Sequence, residues 1–318
     1  MALRRLGKTD LEVTALGLGC WQFSSGFGPV KGYWSSVDQP VVNEIVAGAL
    51  KGGINWFDTA EAYGAGKSEQ ALSKALLAAG KKPGEVLVAT KWLPVMRTAG
   101  DIPKSIDARV QMLSPFPIDL YQVHQPISLS TVEEEMRQMT ALVQAKKIRT
   151  VGVSNFNQQR MRRAHAELQK HGLVLASNQV RYSLVDRGIE DEGVISAAKE
   201  LGITVIAFSP LGQGVLTGRF HDDPSSLQSV TRARRIYSMR GLEKLRPLID
   251  EVKAVAKAHG ATPAQVSLAW VTQFHGDTVV AIPGATKTRQ LEDNVAALNL
   301  KLTQAELDAL DRKSRSVQ

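Results

Sequence analysis

The chain contains a single cysteine, Cys20, so no internal disulfide can form, and a lone thiol suits a reducing, cytoplasmic compartment. No stretch approaches the roughly 18 to 20 apolar residues that a membrane helix needs. The N-terminus, Met1-Ala2-Leu3-Arg4-Arg5-Leu6-Gly7-Lys8, is basic but no apolar run follows it, which argues against a secretory signal. No Gly-x-Gly-x-x-Gly follows a strand, so a Rossmann site is not indicated. His165, His171, His221, His259 and His275 show no metal-ligand spacing with Cys20 or each other, so no metal is expected. The net charge is +8, yet the lysines and arginines are scattered apart from Arg232, Arg234, Arg235 and Arg240. That cluster reads as a solvated loop face or, alternatively, as one that folds over a bound phosphate. No aromatic-interleaved basic motif and no helix-turn-helix accompany it, so nucleic acid is not an expected partner. Neither a coiled-coil heptad nor an exposed strand edge points to an oligomer.

What the sequence does have is alternation. Eight short apolar runs rich in Val and Ile read as strands buried on both faces: Ala15–Leu18, Trp56–Asp58, Val86–Thr90, Leu120–His124, Thr150–Ser154, Ser177–Val180, Thr204–Phe208 and Val279–Ile282. Between them run segments with apolar residues at three-to-four spacing, which reads as helix: Val41–Lys51, Ser68–Ala79, Ser105–Leu113, Val132–Lys146, Gln158–His171, Glu190–Leu201, Leu242–His259 and Thr288–Leu298. Thr262 before Pro263 predicts an N-cap, and Thr303 with Glu306 has capping-box spacing before a last helix. Eight βα units across 318 residues, with 43% hydrophobic content, predict a single (β/α)₈ barrel domain over residues 1–318. The segments around Ala2–Leu6 and Glu12–Thr14 read as an N-terminal hairpin that plugs the barrel bottom. The polar stretch His221–Ser238 reads as a mobile loop.

Four polar residues fall at or just past the ends of three successive predicted strands: Asp58, Tyr63, Lys91 and His124. Parallel neighbouring strands would bring them to one point on the face where barrel active sites are built. A phenol has an ordinary pKa near 10, and a nearby ammonium lowers it. A carboxylate beside the ammonium keeps it charged. An imidazole at the rim can orient a carbonyl oxygen. The set suits protonation of a carbonyl oxygen while a cofactor delivers hydride to the carbon.

Eight segments in order resemble the aldo-keto reductase family, from about Leu3 to Asp311. They are Gly17-Leu18-Gly19-Cys20-Trp21, Phe57-Asp58-Thr59-Ala60-Glu61-Ala62-Tyr63-Gly64, Thr90-Lys91, Tyr121-Gln122-Val123-His124, Val151-Gly152-Val153-Ser154-Asn155-Phe156, Asn178-Gln179-Val180, Phe208-Ser209-Pro210-Leu211-Gly212 and Ile282-Pro283-Gly284-Ala285. The resemblance implies Tyr63 as general acid, Lys91 and Asp58 as the partners that lower its pKa, and His124 as the group that positions the carbonyl. It implies NADPH (NADP⁺) bound across the barrel mouth. Ser154, Asn155 and Gln179 would hold the carboxamide, and Phe208 would stack on the nicotinamide. Ser209, Pro210, Leu211, Gly212 and Gln213 would line the pyrophosphate, with Arg219 nearby. Trp21 and Gly284 join the cofactor set. Lys287 would meet the 2′-phosphate, and Asp293 and Asn294 would hold the adenine. Gln290 stands where many members carry arginine, which leaves NADH possible.

The resemblance implies an NADP-dependent oxidoreductase that interconverts carbonyls and alcohols. Two alternatives are a nicotinamide-bound regulatory subunit like the potassium-channel β-subunits of the family, and a sugar dehydrogenase. Trp21, Trp92, Phe23 and Trp34 are candidates for the substrate pocket wall. The Tyr237–Leu248 and Asp277–Gly284 regions resemble members described as pyridoxal reductases and general aldehyde reductases. The absence of a strongly charged pocket signature favours small, neutral aldehydes or ketones as substrates.

Overall fold

The structure, a computed structural model, describes residues 2–24, 37–232, 235, 239 and 241–317. Its centre is a sheet of eight parallel strands in sequential order: β3 (Leu18–Gly19), β4 (Trp56–Asp58), β5 (Leu87–Trp92), β6 (Leu120–Val123), β7 (Thr150–Ser154), β8 (Leu175–Arg181), β9 (Thr204–Phe208) and β10 (Val279–Ala281). Parallel bridges from Leu16 to Ala281 and from Gly19 to Gly284 join the two edges and close the barrel. Closure leaves no free strand edge.

Two strands precede the barrel, β1 (Arg4–Arg5) and β2 (Glu12–Val13), paired antiparallel. Their Leu6, Leu11 and Val13 pack with Trp56, Ala89, Leu120, Ala176, Ile206 and Val280, which are side chains of six barrel strands. The hairpin thus plugs the barrel at the N-terminal end of its strands. Gly7 sits at φ +60, and its amide donates to Thr204 Oγ1 at 2.7 Å. A Cβ on Gly7 would lie 2.5 Å from the Ala176 carbonyl oxygen, so the turn needs glycine twice over.

Helices cover the outside of the barrel, and the larger apolar cluster lies between them and the strands. Thr262 caps Pro263–Gln273 and Thr303 caps Gln304–Arg315, each in a reciprocal box with Gln265 or Glu306. Several predicted elements differ in outline, three of them for visible local reasons. The predicted helix Glu190–Leu201 is split into Gly188–Asp191 and Val194–Leu201, because Gly193 at φ +74 interrupts it. The predicted helix Leu242–His259 begins as a 3₁₀ turn, Glu243–Leu245, and becomes α-helical over Arg246–Ala258 with Pro247 in its first turn. The first barrel strand is shifted to Leu18–Gly19. Gly17 faces the Trp56 ring, and a Cβ there would lie 2.4 Å from it.

The segment read as a loop over His221–Ser238 is turned rather than extended where it is described. It contains the end of a short helix, Arg219–Asp222, and a 3₁₀ turn, Pro224–Ser229. Val215, Phe220, Leu227 and Val230 form a small core beneath it. Residues 233–234, 236–238 and 240 lie outside the described residues, as does Trp34.

Candidate active site

Strand register brings three of the four chemical groups together. Asp58 ends β4, Lys91 is the fifth residue of β5, and His124 follows β6 directly, its amide bonded to the Trp92 carbonyl at 2.9 Å. Side chains alternate along a strand. Ala89 and Lys91 therefore face the barrel axis, while Trp92 faces the helices.

Tyr63 arrives by a loop. Ala65, Gly64 and Gly66 all have positive φ, and the resulting turn folds the phenol back over Lys91. Lys91 Nζ bonds to Asp58, to the Thr59 carbonyl at 2.8 Å and to the Tyr63 hydroxyl at 3.5 Å. Asp58 Oδ2 also accepts from Gln179 at 2.8 Å and from Gln122 at 3.2 Å. The Tyr63 ring stacks on Trp21 at 5.8 Å and meets His124 edge-on at 5.6 Å.

Asp58 and Lys91 are buried, so their charges hold only as a pair. Burial alone would depress the Lys91 pKa; Asp58 and Tyr63 more than offset it and hold the ammonium above its ordinary value. Burial and the Lys91 charge push the His124 imidazole down to about 3, so it is neutral. Its Nδ1 has no hydrogen-bond partner among the described residues. The expected lowering of the Tyr63 pKa is not what the structure gives. Burial raises it and outweighs the opposing pull of Lys91, so the phenol stays above its ordinary value. A protonated phenol beside a fixed ammonium remains a competent proton donor at neutral pH.

Above these groups opens a cavity of about 700 Å³. Its walls include Trp21, Asp58, Tyr63, His124, Ser154, Asn155, Gln179, Phe208, Ser209, Pro210, Leu211, Gln213, Gly284, Gln290, Asp293 and Asn294. Lys91 lies beneath the floor. Gly212, Arg219 and Lys287 are not in the wall: Arg219 is exposed, lies 5.0 Å over the Phe220 ring and bonds Ser229, and Lys287 is exposed at the N-cap of Thr288–Ala297. Trp92 and Phe23, read as candidate wall residues, are instead fully buried outside the cavity. The reason for Trp92 is the strand alternation that turns Lys91 inward.

Polar groups in the wall are held in fixed orientations. Ser154 Oγ donates to the Gln179 carbonyl at 2.9 Å. Asn155, at φ +60, donates to the His124 carbonyl at 3.3 Å and to Ser154 Oγ at 3.0 Å. The Gln179 amide nitrogen is committed to Asp58. Gln290 Oε1 accepts the Thr286 amide at 2.8 Å, and Asp293 accepts from Gln265 at 3.0 Å. From Ser209 to Gly214 the backbone takes positive φ at Ser209, Gly212, Gln213 and Gly214, which makes a curled loop of the kind that presents amides to anions.

Several wall residues escaped the sequence reading, among them Gln22, Leu93, Val95, Gln125, Arg181 and Thr217. Gln22 directly follows the Trp21 motif. It is 7% exposed, and its Oε1 has no partner among the described residues. It occupies the space that glycine leaves at Gly284, where a Cβ would lie 2.3 Å from its amide. Asn294 Nδ2 is likewise buried and unpartnered among the described residues. Two orphaned amide groups and a curled, amide-presenting loop in one cavity wall fit a nicotinamide dinucleotide.

Residues 15–315 match the sequence model of the Aldo/keto reductase family, and the chain belongs to that family. Its members are oxidoreductases that use nicotinamide cofactors. Among its relatives is an uncharacterized oxidoreductase of Mycobacterium tuberculosis, 37% identical over 307 residues, covering 96% of this chain and 90% of the relative. The chloroplastic pyridoxal reductase of Arabidopsis thaliana is 34% identical, covering 93% and 82%. A thermostable aldo-keto reductase solved with the inhibitor epalrestat superimposes with a TM-score of 0.80 at 27% identity, covering 98% of this chain and 100% of that one. Among the described residues no helix is long and apolar enough to cross a membrane, and no group of three metal-binding side chains occurs.

Proposed function

We propose that the protein reduces aldehydes or ketones to alcohols, reversibly, with NADPH as the preferred cofactor. The observation that carries this reading is the convergence of Asp58, Lys91, Tyr63 and His124 under one cavity. When bound, the cofactor supplies hydride to the carbonyl carbon. The chain's own part is the proton and the geometry. Tyr63 Oη gives its proton to the carbonyl oxygen, and Lys91, 3.5 Å away and charged through Asp58, stabilises the phenolate left behind. Neutral His124 donates a hydrogen bond to the same oxygen and fixes which face of the carbonyl is presented. Ser154, Asn155 and Gln179 would hold the nicotinamide end with Phe208 beside it, and the Ser209–Gln213 loop would take the pyrophosphate. Asp293 and Asn294 would take the adenine end. Lys287, exposed at the rim, would meet the 2′-phosphate, and Gln290 would contribute an amide in place of a cation.

The test is titration of NADPH against NADH by intrinsic tryptophan fluorescence, followed by turnover of 4-nitrobenzaldehyde. Pyridoxal joins the panel because a relative carries that activity in its name. Tight NADPH binding with turnover supports the reading. Binding without turnover of any aldehyde transfers it to a regulatory, nicotinamide-bound role. Tyr63→Phe should lower kcat by about 10²- to 10⁴-fold, the usual contribution of a general acid, with NADPH affinity retained. Unchanged turnover in that variant would remove Tyr63 from the mechanism.

A further inference from the structure

Glu61 lies on the loop between Asp58 and Tyr63 and is not one of the four converging groups. Its amide donates to the Lys91 carbonyl at 3.3 Å. Its Oε1 accepts the Leu93 amide at 2.5 Å and the Arg97 guanidinium at 2.5 Å. Its Oε2 faces Arg109 at 3.5 Å, and Arg109 in turn meets the buried Glu69 at 3.3 Å. Arg97 completes a small circuit. It donates to the Leu93 carbonyl at 3.0 Å, lies 5.3 Å over the Trp92 ring, and through its own carbonyl accepts the Leu129 amide at 2.9 Å.

The circuit joins three segments that meet at the cavity. Ala62 and Tyr63 line it from the Glu61 loop, Leu93 and Val95 line it from the segment after β5, and Leu129 belongs to the segment that follows His124. A staple placed for stability alone has no reason to join the proton donor to the apolar wall it faces. The Glu61 carboxylate is 11% exposed and tied to a backbone amide and two guanidinium groups, which leaves it little freedom.

We infer that Glu61 is a positioning residue: clamped by Arg97, it fixes the spacing between Tyr63 and the Leu93–Val95 wall against which the carbonyl compound rests. This rests on the reading of Tyr63 as proton donor. A misplacement of about 1 Å between a reacting group and its substrate costs on the order of 10²-fold in rate. Loss of the clamp should therefore act on the chemical step while leaving the cofactor cradle intact, because Glu61 contacts none of the Ser154, Gln179, Phe208 or Asn294 groups.

The test uses the full-length chain with Glu61→Gln, Arg97→Met, Arg97→Lys and the Glu61→Gln/Arg97→Met double variant. Three readouts are taken: amide hydrogen exchange over residues 92–98, NADPH affinity by tryptophan fluorescence, and kcat and KM for 4-nitrobenzaldehyde. In Glu61→Gln, exchange at the Leu93 amide should rise about tenfold or more. NADPH affinity should stay within about twofold, and kcat should fall at least tenfold and by more than KM rises. Arg97→Lys should recover much of what Arg97→Met loses, and the double variant should be no worse than the weaker single. If Glu61→Gln does not fold, the Arg97 pair, at a side chain 28% exposed, carries the same comparison. A folded Glu61→Gln protein with wild-type kcat and KM, or with unchanged Leu93 exchange, overturns the inference alone. Wild-type protein that binds NADPH but reduces no aldehyde overturns the proton-donor reading and this inference with it.

Discussion

Replacing Asp58 by asparagine tests the electrostatic centre of the site. The substitution keeps the shape of the side chain and removes one of two charges that are buried together. Gln122 and Gln179 keep an oxygen to donate to, at 3.2 and 2.8 Å, but Lys91 keeps only the Thr59 carbonyl and the Tyr63 hydroxyl. Breaking a buried pair by removing one partner typically costs about 3–5 kcal/mol. An independent ceiling comes from the lysine itself. Shedding the proton from a lysine of ordinary pKa at pH 7 costs about 4.6 kcal/mol, so the penalty for a stranded ammonium cannot exceed that. The two figures agree. The sign with pH follows. In the wild type the Lys91 pKa is raised, so the contribution of the pair is fully present below the unfolded lysine value near 10.4 and is lost only above it. In the variant, burial dominates and the pKa falls, so the folded state binds fewer protons than the unfolded one and gains stability as pH rises. The deficit of the variant should therefore shrink to about 2 kcal/mol at pH 9. Urea unfolding of the cofactor-free proteins at pH 7 and pH 9 measures both numbers. A deficit below about 1 kcal/mol at pH 7, or one that does not change with pH, would refute the argument that the two charges depend on each other.

Other consequences are as direct. Burial lifts the Glu69 carboxyl to about 7 against the pull of Arg109, so the folded state holds a proton that the unfolded chain has lost, and wild-type stability should decline between about pH 5 and pH 8. Glu69→Gln should reduce that decline in a series of urea midpoints, leaving the part due to Glu135, which burial also lifts to about 7; an unchanged slope would count against a protonated Glu69. With its imidazole held down to about 3, His124 should show no titration between pH 5 and pH 8 when followed by NMR of the ring protons. A midpoint near 6.5 would mean that the ring is solvated and unshielded from proton uptake. Gly7→Ala should destabilise the fold by about 2 kcal/mol or more, combining a left-handed backbone with a contact to Ala176 that only main-chain movement could relieve. NADPH affinity should survive it, since the hairpin closes the opposite end of the barrel; a stable variant would mean that the plug can shift as a unit.

How much of the site the sequence made legible follows from how each residue is held. Asp58, Lys91 and His124 were readable because strand ends in a parallel barrel are fixed by register, and register is fixed by which residues are apolar. Tyr63 was readable only through its neighbours, since a loop with three positive-φ residues in a row sets where it points. The same physics explains the misses. Trp92 was a candidate for the pocket wall, but it adjoins Lys91, and adjacent residues on a strand cannot both face the axis. Arg219, which the family resemblance puts near the pyrophosphate, lies outside the wall, because the chain reverses again at Gly218, φ +76, and turns the guanidinium outward. Gln22 sits in a 3₁₀ turn, Trp21–Ser24, where neither strand nor helix periodicity says which way a side chain faces. Only the close approach of Gly284 reveals it.

The division between what was legible and what was not matches a division of labour in the molecule. Asp58, Lys91 and His124 stand on rigid strand ends, where burial couples Asp58 to Lys91, and Tyr63 reaches over from a loop to within 3.5 Å of Lys91. Part of the cavity wall stands on loops tied together by Glu61, whose Leu93 and Arg97 partners lie 32 and 36 residues away in sequence. Periodicity cannot reveal such ties. The long-range ties can change without disturbing the buried Asp58–Lys91 pair, which strand register alone fixes. Substitutions in the Leu93–Arg97 segment should therefore redistribute substrate preference while leaving the pH behaviour of Lys91 and His124 unaltered.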